Sequence, residues 1–223
     1  MPPRKKRKVA DSSAKEPAKK QKLTTAASKS TSSFKAKGKV KGKNGEVDKP
    51  VYTHWLMKSE PESRIENGID MKFGFDDLKS CPDQTEHWDG VRNYQARNFL
   101  RDEIKEGHQT FFYHSNCKEP GIIGVCTIVR SGYHDHTQFD KSDAHYDSSS
   151  KPDNPKWYMV DVKYKAPLDR FVPLSELKRL HQDHVAKGGP LKNMALFTRA
   201  RLSVQPVSQE EWDFIIELSK TSV

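Results

Sequence analysis

The 223-residue sequence predicts an α+β domain with a mostly antiparallel, curved sheet, preceded by a disordered basic tail. Three observations predict it. Five or more short strand-like runs are separated by short helical runs, without the strand–helix–strand alternation of a parallel sheet. Apolar residues larger than alanine almost vanish before residue 51, where after Met1 only Val9, Leu23, Phe34, Val40 and Val47 occur besides prolines, so that segment buries too little surface to offset its ordering entropy. Charge divides at the same place: residues 1–50 carry 16 Lys+Arg and 4 Asp+Glu, net +12, which leaves net −3 on residues 51–223. A site on the domain therefore works by a local cluster and by shape, because the folded part has no global field that favours polyanions.

Taken in order, the chain opens with a cationic cluster, Arg4, Lys5, Lys6, Arg7 and Lys8, of the kind read by a nuclear import receptor, with Lys19 to Lys22 as a possible second half. The spaced lysines of residues 35–43 suit loose phosphate contacts. A nuclear location is expected. The fold should begin at residue 51, with residues 52–58 as a first strand that alternates poorly and is stopped by Pro61. Residues 76–80 read as a short helix. Asn93 is a good cap for a helix from Tyr94, in which Ala96, Phe99, Leu100 and Ile104 recur at helical spacing and Gly107 ends the run. Residues 110–114 and 122–130 read as strands, followed by a polar excursion over residues 131–155 that is too long for an ordinary hairpin loop. Residues 157–164 return as a strand and residues 175–181 as a helix; Gly188-Gly189-Pro190 breaks the chain before residues 191–197. A last strand over residues 201–207 leads to a capping box, Ser208 to Glu211, which starts a helix carrying Trp212, Ile215, Ile216 and Leu218.

Cys81, Cys117 and Cys126 are odd in number and lack paired spacing, so neither a disulfide framework nor a zinc knuckle is expected, and a reducing compartment fits. The longest apolar run falls far short of a membrane span. His134, His136 and His145, like His181 with His184, supply ligand types without a thiolate or carboxylate framework at regular spacing. No metal and no cofactor is expected.

The stretch WDGVRNYQARNFLR (residues 88–101) concentrates chemistry. At roughly 100° per residue, Tyr94, Arg97 and Arg101 share the helix face opposite the apolar stripe. Free backbone N–H groups at the helix start beside Trp88 offer donors to an anion. With WLMKSEP (55–61), YHS (113–115), PGIIGV (120–125), KWYMVDV (156–162) and RLSVQPV (201–207), this run strongly resembles the EVE domain of the PUA-like superfamily, over about residues 51–223. The resemblance implies a small, curved or open β-barrel with short flanking helices that recognises a modified base, with 5-hydroxymethylcytosine in DNA a proposed ligand.

Each candidate has a plainer reading. Trp88 and Trp157 are either core or walls of a pocket, where a stacked base gains about 1–3 kcal/mol. Tyr94 and Arg97 are either solvated surface or ligand contacts, and Asn93 either a cap alone or a cap whose amide also faces a ligand. Lys58, Ser59 and Glu60 at a strand end offer donor, hydroxyl and carboxylate, or form a charged turn; a glutamate can accept from a cytosine amine while a serine or lysine donates to its ring. His114 ends another strand and can close the same site. A weaker transfer from the family adds Arg201, Leu202 and Ser203. The expectation is a monomeric, non-enzymatic nuclear reader of modified DNA or RNA. The alternatives are an amidohydrolase on an acylated base, with Lys58 or Ser59 as nucleophile and Glu60 or His114 as base, and a nuclear scaffold for protein partners.

Overall fold

A computed structural model describes residues 50–66 and 68–221. The expected nuclear-import cluster from Arg4 to Lys8, the predicted tail disorder and the spaced lysines all lie outside the described residues.

The first strand, β1 (His54–Ser59), is buried on both faces, which is why its apolar residues do not alternate with polar ones. A two-residue hairpin, β2 (Ile65–Glu66) and β3 (Ile69–Asp70), turns through Gly68 and leads to α1 (Phe75–Lys79). Next comes β4 (Thr85–Trp88), a strand that the sequence pattern does not reveal: its four residues, TEHW, carry one large apolar side chain. The helix capped by Asn93 is shorter than its apolar spacing predicts. It is α-helical only over α2 (Tyr94–Asn98), continues as one π-turn over Phe99–Glu103 closed by Ile104 N–H to Phe99 C=O at 2.8 Å, and stops at Ile104, before Gly107. The four expected apolar residues are nevertheless all buried.

β5 (Gln109–His114) precedes two long strands, β6 (Gly121–His134) and β7 (Tyr158–Pro173), which pair with each other far beyond their apolar cores. The polar excursion is thus shorter than expected, and it includes a 3-10 turn, His136–Phe139. It is also pinned down: the buried Gln138 side chain accepts from the Trp157 and Lys156 N–H groups and donates to the Trp157 carbonyl. Helix α3 (Leu174–Lys187) runs to the predicted Gly188 break rather than stopping at His181. A 3-10 turn (Pro190–Asn193), α4 (Ala195–Thr198), β8 (Val204–Val207) and α5 (Gln209–Lys220) complete the chain. The capping box at Ser208 forms as predicted, with Ser208 Oγ accepting from Glu211 N–H at 3.2 Å and Glu211 accepting from Ser208 N–H at 2.7 Å.

These strands make one six-stranded sheet in the order β4-β7-β6-β5-β1-β8. Only β1 with β5 is parallel; every other neighbouring pair is antiparallel. Register shifts along β5–β6 and β6–β7 are bulges, which bend a sheet and raise its twist. The sheet curls accordingly but does not close into a barrel: β4 and β8 remain its edges. Period-two alternation then sends side chains into two cores. Trp55, Met57 and Phe112 join Trp88, Phe99, Leu100, Ile128, Val160 and Val162 inside the curl, while Leu56, Phe111 and Tyr113 face α3 and α5, where Phe111 stacks on Trp212 with centroids 4.0 Å apart.

Candidate functional site

The parallel pairing of β1 and β5 has a direct consequence for the site. Two parallel strands end at the same edge, and the register sets Lys58 beside Tyr113 and Ser59 beside His114. The segments Lys58-Ser59-Glu60 and Tyr113-His114-Ser115, distant in sequence, therefore form one corner. Ser115 closes it by donating from N–H (2.7 Å) and Oγ (3.1 Å) to the Ser59 carbonyl.

The polar groups of this corner are mostly engaged with the protein. Lys58 Nζ donates to the Ala200 carbonyl at 2.8 Å and lies 5.8 Å from the Tyr113 ring; burial lowers the pKa of its ammonium. The Ser59 hydroxyl donates to the Phe73 carbonyl. Glu60 accepts from Arg64 Nε at 2.6 Å, Arg64 Nη2 at 3.2 Å and Asn116 Nδ2 at 3.2 Å; burial pushes its carboxyl up, but these bonds and the Arg64 charge bring it below the usual range. His114 Nε2 accepts from Phe75 N–H at 3.2 Å, which requires a lone pair there and puts a neutral ring's proton on Nδ1. Burial lowers its pKa against the opposing pull of Asp76 and Asp77.

Trp88 is joined to this corner by aromatic packing. Its ring stands edge-on to Phe112 at 5.4 Å and to Phe73 at 6.3 Å, and Phe112 stands edge-on to His114 at 5.7 Å. Trp88 is 8% exposed, so core packing accounts for most of its surface. The partly exposed rings in this group belong to Phe73 and His114. Sequence reasoning missed Phe73, which lies between the β2–β3 hairpin and the α1 start.

The remaining candidates form a second group. Tyr94, 59% exposed, lies 5.0 Å from Trp157 at 32° between planes, while Arg97 sits 4.9 Å from the Tyr94 ring and Arg92 5.4 Å from the Trp157 ring. Trp157 is 5% exposed and donates Nε1–H to Asp147 at 2.7 Å. The helix start does not offer the anion donors that the sequence led us to expect: the Asn93 oxygen takes the Gln95 and Ala96 N–H groups, at 2.9 and 3.1 Å. Arg101 also departs from the expected face. The π-turn changes the angle per residue, and Arg101 pairs with Asp102 and approaches Tyr158 instead of Tyr94.

Arg92 ties this second group to the fold. Its guanidinium donates to Asp135 Oδ2 (2.7 Å), Thr137 Oγ1 (2.9 Å) and, from Nε (2.8 Å) and Nη2 (2.5 Å), the His145 carbonyl. Asp135 is fully buried, and accepts also from Gly90 N–H and from the Thr137 N–H and hydroxyl. Burial raises its carboxyl pKa, but the Thr137 and Arg92 bonds outweigh that and leave it below normal. Gly90 is required twice over: its φ is +75°, and a Cβ there would meet the His145 ring at 2.6 Å. Arg92 stood in the richest motif of the sequence, between a buried Val91 and the Asn93 cap; its position beside the cap was the available signal. On the neighbouring strand end, His87 lies between Glu86 (Nδ1–Oε1, 2.6 Å) and Asp89 (Nε2–Oδ2, 3.2 Å), whose hydrogen bonds, Asp89 first, push its pKa up to about 9.

The EVE domain family model matches residues 53–218. The chain belongs to the EVE-domain family. This EVE domain is 66% identical to thymocyte nuclear protein 1 of Danio rerio over 183 residues, covering 82% of this chain and 79% of the relative. It is 63% identical to the human protein of that name over 172 residues, covering 77% and 76%. The nuclear location expected from the basic tail agrees with the name those relatives share. Among solved structures, it is similar to human THYN1 in complex with 5-methylcytosine-containing DNA, at 64% identity, a TM-score of 0.75 and coverage of 76% of this chain and 99% of that one. The DUF55 domain of human thymocyte nuclear protein 1 gives a TM-score of 0.74 at the same identity and coverage.

Proposed function

We propose that this chain is a nuclear reader of modified cytosine in DNA that works without catalysis. The single observation that carries the reading is the 64% identity, over 76% of this chain, to a human protein solved with 5-methylcytosine-containing DNA. The geometry supports it in two parts. The strand-end corner, with Phe73, Trp88, Lys58, Ser59, Glu60 and His114, provides an aromatic floor and oriented polar groups for one base. The Tyr94, Arg97, Trp157 and Arg92 group provides an exposed ring and cations for the flanking backbone, joined to the corner through the chain from Trp88 to Asn93.

The base is taken out of the stack, as in proteins that hold a single base in a pocket. The 5-substituent then lies against the aromatic side of the corner, and 5-hydroxymethylcytosine adds a hydroxyl for Lys58 or Ser59 to meet. The reading without catalysis is supported by the bonds already formed: the Ser59 proton goes to a backbone carbonyl and His114 Nε2 accepts from a backbone N–H, so neither is poised against the other as nucleophile and base. The basic segment of residues 1–50 adds affinity without specificity and engages the import receptor, and the domain acts as a monomer.

The test is binding of the full chain and of residues 51–223 to matched duplexes carrying cytosine, 5-methylcytosine or 5-hydroxymethylcytosine at near-physiological salt, with analysis of the recovered bases. A tenfold preference for one modified form, about 1.4 kcal/mol, with unaltered bases supports a reader. Equal binding to all three overturns it, and a changed base makes the protein an enzyme.

A further inference from the structure

We infer that His87, Asp89 and His136 form a binding site for a borderline divalent transition metal ion, zinc above all. The inference is independent of the DNA-reading proposal. The three residues come from two distant segments, the β4 end and the 3-10 turn after β6, which is why spacing in the sequence could not pair them. One ligand atom from each lies within 4.8 Å of those of the other two. The His87 Nε2 to Asp89 Oδ2 distance is 3.2 Å, and the His87 and His136 rings lie with centroids 5.1 Å apart. A tetrahedral zinc ion with bonds of about 2.0–2.1 Å sets its ligand atoms roughly 3.3 Å apart. The first edge of that tetrahedron is therefore already in place, and His136, an exposed side chain, closes the site by side-chain rotation.

Two further features point to a ligand shell rather than to a chance pair. Glu86 Oε1 lies 2.6 Å from His87 Nδ1, the outer carboxylate that fixes the tautomer and aims Nε2 at an ion in histidine metal sites. Both backbones are held: β4 is paired residue by residue with β7, and the turn that carries His136 is capped by the buried Asp135. The donor set is two imidazole nitrogens and one carboxylate oxygen. That set suits zinc, cobalt, nickel or copper and not calcium or magnesium, which take oxygen donors. Three protein ligands leave a fourth position for water or for a ligand atom, as in zinc sites that keep an open position. The ion takes the place of the proton on His87 Nε2.

The experiment uses the full chain, with zinc titrated calorimetrically and cobalt(II) as an optical probe. One equivalent of zinc bound with micromolar affinity or better, and a tetrahedral cobalt absorption band, are expected. His136→Ala, which removes an exposed side chain, should weaken binding at least tenfold and abolish the rise in melting temperature that zinc causes; Asp89→Asn should weaken it similarly. His134→Ala should change neither. Equal zinc affinity in wild type and His136→Ala overturns the site, as does the absence of saturable binding up to millimolar zinc, which would leave His87 as an ion pair between Glu86 and Asp89 only.

Discussion

The strand-end corner and the Tyr94–Trp157 group are built on opposite principles. In the corner, Lys58, Ser59, Glu60 and His114 hang on paired strands and spend their hydrogen bonds on the protein, three of them on backbone groups and Glu60 on Arg64 and Asn116. In the second group the outermost ring is mostly exposed, while the cation beneath the inner ring is locked to a buried carboxylate. The difference teaches that orientation and display are separate tasks: polar groups held from behind keep a fixed geometry, whereas an exposed ring on a rigid support is free to stack on any partner.

Substitutions at the two regions should therefore separate stability from binding. The largest effect expected is on Trp88: replacing its buried ring by alanine should destabilise the domain by about 3–5 kcal/mol, read from urea unfolding. Trp88→Phe should retain most of that stability, and its loss of preference among cytosine forms, measured on folded protein, sharpens the corner's role; unchanged preference breaks it. Asp135→Ala leaves Arg92 without its buried partner and should cost about 3–5 kcal/mol while loosening the support under Trp157. Tyr94→Ala should do the reverse, changing stability by less than about 0.5 kcal/mol and weakening DNA binding by about 1–3 kcal/mol for all cytosine forms alike. Were Tyr94→Ala to alter the preference instead, the division between the regions would fail. Arg97→Ala should lower the salt dependence of binding by about one phosphate contact, seen as a shallower slope of log affinity against log salt.

The smallest effect is one of pH. The folded pKa of His114 is depressed from 6.5 by burial, so between the two values the unfolded chain binds more protons than the folded one. Its neutral form contributes stability that is complete above pH 6.5 and erodes as pH falls toward the folded value. His54 and His108, also depressed chiefly by burial, act in the same direction. His114→Gln should make the acid limb of the stability profile shallower; an unaltered limb would show that His114 is not buried as a neutral ring.

Local chemistry was legible in the chain. The Ser208 capping box, the Asn93 cap, the Gly188 break and the buried stripe of Ala96, Phe99, Leu100 and Ile104 follow from interactions that span a few residues, and all four are present in the structure. The blocks that resemble the EVE family were equally local, and they sufficed to assign it. What the sequence did not reveal depends on partners far along the chain. Strand β4 exists because β7 offers it an edge, not because TEHW favours a strand. The π-turn that diverts Arg101 changes the local hydrogen-bond pattern, as in Ile104 N–H to Phe99 C=O, and leaves the apolar residues buried. The sequence by itself thus determined the family, the caps and the residues able to stack or to donate. Only the tertiary structure decided which of them meet: the parallel β1–β5 register that puts Ser59 beside His114, the curl that carries Trp88 onto Phe112, and the turn that brings His136 to His87. Contacts of that kind are fixed by the path of the whole sheet, and no short window of sequence contains them.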